Sequence, residues 1–163
     1  MAKLKIVKVG DDTLRQTCRE VDKITPRILR LLGDMTETMR AADGCGLAAP
    51  QVGILRRICV VEVGDKLYEM INPKIVESEG VQEEIEGCLS IPGQWGVTHR
   101  PAKVTVEYFD KDTNRVRVSA EGLLARAFCH EIDHLDGILF TDRATHMYTD
   151  EEMEELYGGD DRE

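Results

Sequence analysis

Two histidines and two carboxylates stand together in the segment His130-Glu131-Ile132-Asp133-His134. If this segment is helical, residues four apart lie about one turn apart on the same face, so both imidazoles point the same way. Two imidazoles placed in this way can bind one divalent metal ion, and Glu131 is close enough to take a proton from a water that the ion activates. The alternative is that both histidines are hydrogen-bonded on a half-buried helix face.

Two imidazoles leave such an ion short of a third protein ligand, and the chain offers two sources for it. Downstream there is only His146, and upstream a cysteine stands in Glu86-Gly87-Cys88-Leu89-Ser90. A thiolate with two imidazoles is a sound ligand set that leaves a fourth position for water. A cysteine between glycine and leucine can also be an inert buried thiol.

A third segment, Gly44-Cys45-Gly46-Leu47-Ala48-Ala49-Pro50-Gln51, has a composition that suits a ligand-binding loop. Its glycines permit tight turns and close approach to a ligand backbone. The amide of Gln51 can donate a hydrogen bond to an oxyanion. The segment lacks the following Lys-Ser/Thr pair of a phosphate-binding loop. Without the other two segments, it indicates only a helix cap and a loop.

The hydrophobic periodicity predicts the elements that must position these residues. Thr25-Pro26 indicates a helix start, and apolar residues at helical spacing continue the helix to about Ala42. A second helix is predicted over residues 122–135, and a short one over residues 150–157 with Thr149 as its cap. Alternating patterns predict strands over residues 4–9, 57–63, 67–71, 74–79, 81–86, 103–110 and 115–120.

Because the strands come in antiparallel runs, the fold class is predicted as α+β. We expect antiparallel strands around a central metal-binding helix, with a second N-terminal helix and a short C-terminal helix. A length of 163 residues fits a single domain over 1–163. Residues 149–163 are expected to form an acidic, partly loose tail.

Charge and composition exclude several classes of function. The chain carries 21 Lys and Arg against 31 Asp and Glu, for a net charge of -10. Such a field repels phosphate backbones and anionic lipid, so neither nucleic acid nor membrane is expected as a partner. The sequence contains no apolar run of about 18 residues and no signal peptide at its start. Five cysteines without a Cys-x-x-Cys pair argue against a disulfide framework and indicate the reducing cytoplasm.

Together the three segments resemble the peptide deformylase family. Residues 44–51, 86–90 and 130–134 match the three motifs of that family, in order and at about the same separations. The flanking residues Ile91-Pro92, Arg100-Pro101 and 135–140 are similar as well. The resemblance covers nearly the whole chain, from Leu4 to about Arg143.

The resemblance implies a hydrolase that removes the formyl group from the N-terminal formylmethionine of newly made proteins and releases formate. The implied metal ligands are Cys88, His130 and His134. The ion is usually Fe²⁺ in this family, with Zn²⁺, Ni²⁺ or Co²⁺ as substitutes. Glu131 would handle the proton of the attacking water. The Gln51 side chain and the backbone N–H of Leu89 would hold the oxyanion.

The implied substrate is the formyl-methionyl end of a nascent peptide. An apolar pocket for the methionine side chain is expected from Cys45, Leu123 and Ala127. Backbone groups around Gly46 and Ile85 would pair with the extended peptide at a sheet edge. We expect a monomer. Some relatives dock on the ribosome through a basic C-terminal helix, whereas the helix predicted here is acidic, so any ribosome association would use another mode.

Three residues near these motifs have two possible interpretations or depart from the family pattern. Trp95, the only tryptophan, is either a lid over the substrate or a half-buried surface aromatic. Cys129 stands directly before His130, where many relatives carry glutamine. Arg100 is a candidate to pair with Glu86 and brace the Cys88 segment, the alternative being an ordinary exposed ion pair.

Two other functions compete with the deformylase interpretation. A zinc peptidase that cuts internal bonds would take a third ligand downstream and need a longer cleft. A catalytically inactive metal-binding or peptide-binding relative would need neither Glu131 nor Gln51, and the presence of both residues therefore favours the enzyme.

Overall fold

The computed structural model describes residues 3–158 of the chain. Its strands are β1 (Gly46–Ala48), β2 (Ile58–Val63), β3 (Lys66–Glu79), β4 (Gln82–Cys88), β5 (Ile91–Arg100), β6 (Lys103–Phe109), β7 (Arg115–Glu121) and β8 (His146–Thr149). Its α-helices are α1 (Pro26–Ala41), α2 (Gly122–Leu135), α3 (Phe140–Arg143) and α4 (Asp150–Met153), and short 3-10 turns cover Asp12–Arg15 and Ala49–Val52. The α+β prediction is confirmed.

The strands form two antiparallel sheets. Five strands pair in the order β1-β2-β3-β6-β7, and three pair in the order β4-β5-β8. The first sheet therefore ends on β1 and the second on β4. These two edge strands carry the glycine-rich segment and the Cys88 segment, respectively, and both face the helix that carries the two histidines.

The central helix α2 packs its apolar side against the five-stranded sheet. Phe128 is fully buried and meets Tyr68 of β3 edge to face, with ring centroids 5.2 Å apart. Cys129 is 4% exposed within the same core, and burial raises the pKa of its thiol to about 11, so it is an unreactive packing residue. Because α2 is anchored by this core, the side chains on its other face have a fixed position.

The predicted bounds of the two long helices agree with the structure, whereas several strand predictions do not. The helix over 122–135 is confirmed residue for residue, and α1 begins at Pro26 with the Thr25 hydroxyl accepting from the N–H of Ile28. The prediction of a strand over residues 4–9 is wrong. That segment is irregular because single hydrogen bonds tie it to two different loops, from the N–H of Val7 to Gln51 and from that of Val9 to Ser90.

The strands predicted over 67–71 and 74–79 are one strand, β3, with a bulge between them. Asn72 adopts a positive φ of 53° there, and its side chain bonds both the N–H and the C=O of Val21. Strand β5 was not predicted, because Pro92, Gly93 and Gly96 break the apolar alternation that identifies a strand.

The C-terminal helix is shorter than predicted. α4 begins after the Thr149 cap as expected but ends at Met153, and a π-helical turn continues over Glu154–Gly158. The part of the acidic tail from residue 159 onward lies outside the described residues. No helix within residues 3–158 combines the length and the apolar character needed to cross a membrane.

Candidate metal centre and active-site cavity

The structure brings one cysteine and two histidines together from distant parts of the sequence. Donor atoms of Cys88, His130 and His134 all lie within 4.8 Å of one another, and the Cys88 Sγ is 3.4 Å from the His134 Nε2. Cys88 is the last residue of β4, directly before the two-residue turn into β5. His146, the other candidate ligand, lies in β8 opposite Val97 and does not join this group.

The orientation of the His130 ring is fixed by a carboxylate behind it. Its Nδ1 lies 2.9 Å from the Glu86 Oε1. Burial alone would raise the pKa of Glu86, but hydrogen bonds from His130 and Arg100 hold that pKa far below its usual value. Glu86 is therefore ionised and accepts the Nδ1 proton, so Nε2 is the ring nitrogen of His130 that is available to a metal ion.

A buried arginine holds that carboxylate in turn, as predicted for Arg100. Arg100 is 3% exposed and donates two hydrogen bonds to Glu86, from Nε at 2.9 Å and from Nη2 at 3.0 Å. Its Nη1 donates to Asp133 at 2.7 Å, so the same guanidinium joins β4 to α2. The alternative of an ordinary exposed pair is excluded by this burial.

Burial and charge make the three-residue group suitable for a cation. Burial lowers the pKa of His134 well below its usual value, so its ring is neutral, and its Nδ1 has no hydrogen-bond partner among the described residues. Burial would also lower the pKa of His130, but negative groups around it hold that pKa well above its usual value. These groups are Glu131, Cys88 and Glu86. Surroundings that favour a proton at this point also favour a metal ion, so the residues present fit one.

Glu131 is a buried carboxylate beside this group. It is 4% exposed, its Oε1 has no hydrogen-bond partner among the described residues, and its Oε2 lies 4.0 Å from the His130 Nε2. Burial raises the pKa of Glu131 to about 7. A carboxylate with such a pKa can both accept and return a proton near neutral pH.

Gly46 makes room for the Glu131 side chain. A Cβ added at position 46 would overlap the Glu131 Oε2 and lie only 2.8 Å from its carboxyl carbon. A glycine in β1 is therefore required by the close approach of α2 and not by a turn.

We expect Gly46→Ala to lower the turnover at this site by more than about tenfold, because the added methyl displaces a carboxylate whose placement within about 1 Å decides its efficiency. Gly33→Ala, the same change inside α1, should leave turnover unchanged and slightly stabilise the helix. Steady-state rates of both variants test this. Wild-type turnover in Gly46→Ala would contradict the assigned contact.

Gln51 presents its amide nitrogen to the same group. Its Oε1 accepts a hydrogen bond from the backbone N–H of Ala48 at 2.9 Å, which fixes the direction of the amide. Its Nε2 consequently points the other way, 3.1 Å from the Ser90 Oγ and 3.5 Å from the Cys88 Sγ. The side chain is 1% exposed, so the donor is held rigidly.

A cavity of about 330 Å³ opens onto this group. With the exception of the fully buried His134, every predicted site residue lines it: Cys45, Gly46, Gln51, Ile85, Cys88, Leu89, Leu123, Ala127, His130 and Glu131. A larger groove of about 620 Å³ runs beside α1 and shares none of these residues. The chemistry is therefore concentrated in the smaller cavity.

Some lining residues escaped the sequence analysis. Arg126 lies one turn before His130 on α2 and reaches the cavity wall, where its Nη1 donates to the Gln82 Oε1 at 3.1 Å. Helical spacing from His130 could have identified it. Asp43 and Gly87 also line the cavity.

A Cys-His-His group, a buried carboxylate and a rigid amide donor around a cavity define the site of a metal-dependent hydrolase. The family model for polypeptide deformylase matches residues 3–150. The chain belongs to this family, whose members are metal-dependent enzymes that remove the formyl group from newly made peptides.

Individual relatives agree with the family match. A peptide deformylase of Acetivibrio thermocellus is 57% identical over 145 residues, covering 89% of this chain and 85% of the relative. A peptide deformylase of Caldicellulosiruptor bescii is 49% identical over 155 residues, covering 95% of this chain and 93% of the relative. These comparisons confirm the predicted family and its hydrolase activity, and they give no support to an inactive relative.

Solved structures give the same result for the fold. Peptide deformylase from Thermotoga maritima superposes with a TM-score of 0.86 at 38% identity, covering 88% of this chain and 99% of that one. The enzyme from Synechococcus elongatus in complex with actinonin superposes with a TM-score of 0.85 at 42% identity. The match covers 88% of this chain and 79% of that one.

Proposed function

We propose that this chain hydrolyses the formyl amide of formyl-methionyl nascent peptides at the cavity described above, with Cys88, His130 and His134 as the ligands of its metal ion. The observation that carries this proposal is the convergence of three donor atoms within 4.8 Å beside a buried carboxylate that has an unpartnered oxygen. A binding protein has no use for such a carboxylate, since burying it without a partner is unfavourable.

We further propose Fe²⁺ as the ion, with Zn²⁺, Ni²⁺ or Co²⁺ able to replace it. One thiolate and two imidazoles form a borderline-soft ligand set that suits all four ions. When bound, the ion supplies Lewis-acid polarisation and a lowered pKa for water. Cys88 is only half-buried, and a ferrous site with an accessible thiolate is open to oxidation.

Glu131 moves the proton in the proposed reaction. Its carboxylate accepts a proton from the attacking water, and the oxygen of that water adds to the formyl carbon. Glu131 then gives the proton to the leaving amine as the carbon–nitrogen bond breaks. The products are formate and a peptide with a free N-terminal methionine, so one water is consumed for each formyl group removed.

Gln51 and Leu89 hold the negative charge that develops on the formyl oxygen. The Gln51 amide donates from Nε2, and the backbone N–H of Leu89 follows directly after Cys88 in the turn between β4 and β5. Two fixed donors at the developing charge stabilise the transition state without reorganisation. The hydrogen bond from Ala48 to the Gln51 Oε1 supports this role, because it keeps the nitrogen end toward the site.

We expect Gln51→Ala to lower kcat by about 10²- to 10³-fold, the loss typical of one oxyanion donor. Gln51→Glu is the matched variant, because it keeps an acceptor for the Ala48 N–H but removes the donor. Both variants should lose kcat to a similar extent in steady-state assays. If Gln51→Glu retained wild-type kcat, the donor role would be wrong.

The substrate is proposed to lie between the two sheet edges. Cys45, Leu123 and Ala127 line the cavity and would surround the methionine side chain. The peptide backbone would pair with the chain around Gly46 in β1 and Ile85 in β4, which are the terminal strands of their sheets. Such pairing requires an extended N-terminus, as a nascent chain provides.

The cellular setting follows from the substrate. We propose a cytoplasmic monomer that meets nascent peptides near the ribosome. Its C-terminal segment carries Asp150, Glu151 and Glu152 in the first turn of α4, so ribosomal RNA would repel it. Any ribosome association would therefore use another surface.

Formate release from a formyl-methionyl tripeptide tests the proposal. Protein purified without oxygen and loaded with Fe²⁺ should release formate at enzymatic rates, and chelation should stop the release. Cys88→Ala should lose both activity and bound metal. Normal metal content in that variant would show that the ligand set is wrong.

A further inference from the structure

The indole of Trp95 forms one wall of the active-site cavity and packs against the main chain of β4. Trp95 lines the cavity together with Ile85 and Gly87. A Cβ at position 87 would be 2.5 Å from the indole Cζ3 and 2.7 Å from Cε3, so the ring packs directly over the Gly87 backbone. Trp95 is half-buried, and part of its surface faces the cavity.

The polar end of the same ring is tied to the C-terminal segment. The Trp95 Nε1–H donates to the Asp150 Oδ1 at 2.8 Å. Asp150 follows directly after β8, which pairs with β5 so that Tyr148 lies opposite Trp95. A residue 55 positions away in sequence thus fixes the angle of a cavity wall.

Asp150 is not needed to start the helix it belongs to. The Thr149 hydroxyl accepts from the N–H of Glu152, and the Glu152 carboxylate accepts from the N–H of Thr149, so these two residues already form a complete capping box. The Asp150 carboxylate is left for the indole. Its removal should consequently leave α4 and the fold intact.

We propose that Asp150 is a positioning residue that holds Trp95 as a specificity wall for the peptide, and that the indole face binds an apolar or aromatic side chain downstream of the formylmethionine. This inference rests on the proposed function, because it concerns the peptide bound in the same cavity. A large flat ring held at both ends contacts such side chains at little entropic cost. The C-terminal segment thereby belongs to the substrate site.

The test compares Asp150→Ala with Glu151→Ala, which removes the same charge from the next, exposed residue of α4. The substrates are formyl-Met-Ala-Ala, formyl-Met-Phe-Ala and formyl-Met-Ala-Phe. For at least one phenylalanine peptide, Asp150→Ala should raise KM by about twofold to tenfold, the range of an aromatic contact, with kcat unchanged. The alanine peptide should show wild-type KM, and Glu151→Ala should match wild type on all three.

Fluorescence gives a second reading, because Trp95 is the only tryptophan in the chain. In Asp150→Ala the emission of Trp95 should move to longer wavelength. Acrylamide should also quench this emission more strongly, because the indole is more accessible. Asp150→Asn keeps a neutral acceptor for the indole N–H, so it should restore both the emission and the KM values.

Several results would overturn the inference. These are an unchanged KM ratio between phenylalanine and alanine peptides in Asp150→Ala, an equal loss of kcat on all peptides, or an effect of the same size in Glu151→Ala. If the wild-type protein released no formate from any peptide, the proposed function itself would fail. The two failures are therefore distinguishable.

Discussion

Glu131→Ala should lose deformylase turnover by about 10²- to 10⁴-fold while the protein keeps its fold and its metal. The proton acceptor of the reaction is removed, and general-base catalysis contributes about 10²- to 10⁴-fold. The fold should tolerate the change, because the Glu131 carboxylate is buried with an unpartnered oxygen and burial raises its pKa to about 7. Removing such a group relieves a desolvation cost.

Formate release and metal content measured on the same preparation check this prediction. Glu131→Gln keeps the shape of the side chain and should be as inactive as the alanine variant. Turnover near the wild-type rate in either variant would show that another group moves the proton. Loss of metal in both would show that Glu131 acts as a ligand instead.

Arg100→Ala should be the most destabilising single change in the brace behind the site, at about 3 to 5 kcal/mol of unfolding free energy. It would leave Glu86 and Asp133 without the guanidinium that now bonds both at 2.7 to 3.0 Å. The Glu86 side chain is only 7% exposed, so water cannot replace the lost partner. Metal affinity should fall by about 10- to 100-fold, because Glu86 would no longer fix the His130 ring.

Arg15→Ala is the matched control for Arg100. It breaks an ion pair with Asp142 in which the two side chains are 51% and 40% exposed, and such pairs contribute less than about 1 kcal/mol. Urea unfolding of both variants measures the difference. If Arg100→Ala were too unstable to purify, Arg100→Lys should give an intermediate loss of unfolding free energy. Lysine keeps the positive charge but cannot donate to Glu86 and Asp133 at once as the planar guanidinium does. Equal stability of Arg100→Ala and Arg15→Ala would contradict the account.

The two long helices could be predicted from sequence, but the short helix α3 and the arrangement of the strands could not. The periodicity of residues 122–135 identifies α2 because one face must meet a core and the other carries polar groups. Strand β5 is held by pairing with β4 and β8 on either side, which overrides its proline and glycines. Residues 4–9 alternate like a strand, yet within residues 3–158 they pair with no strand and are held by single hydrogen bonds to Gln51 and Ser90.

The site could be predicted where residue type alone restricts the chemistry. The pair His130 and His134 indicates a metal from spacing, whereas the third ligand stayed open between Cys88 and His146 until the family resemblance favoured Cys88. The contact between Gly46 and Glu131 depends on how closely β1 approaches α2. The hydrogen bond from Trp95 to Asp150 depends on the pairing of β8 with β5. Distances of this kind arise from tertiary packing and are absent from any local pattern.

The most direct test of the central claim is to identify which bond the iron-loaded protein breaks in a formyl-methionyl tripeptide. Mass analysis of the products, together with a formate assay, reads this out in one reaction. We expect formate and an intact tripeptide with a free N-terminus, and no reaction with the acetyl-methionyl peptide of the same sequence. Cleavage of an internal peptide bond, or no cleavage with metal bound, would contradict it.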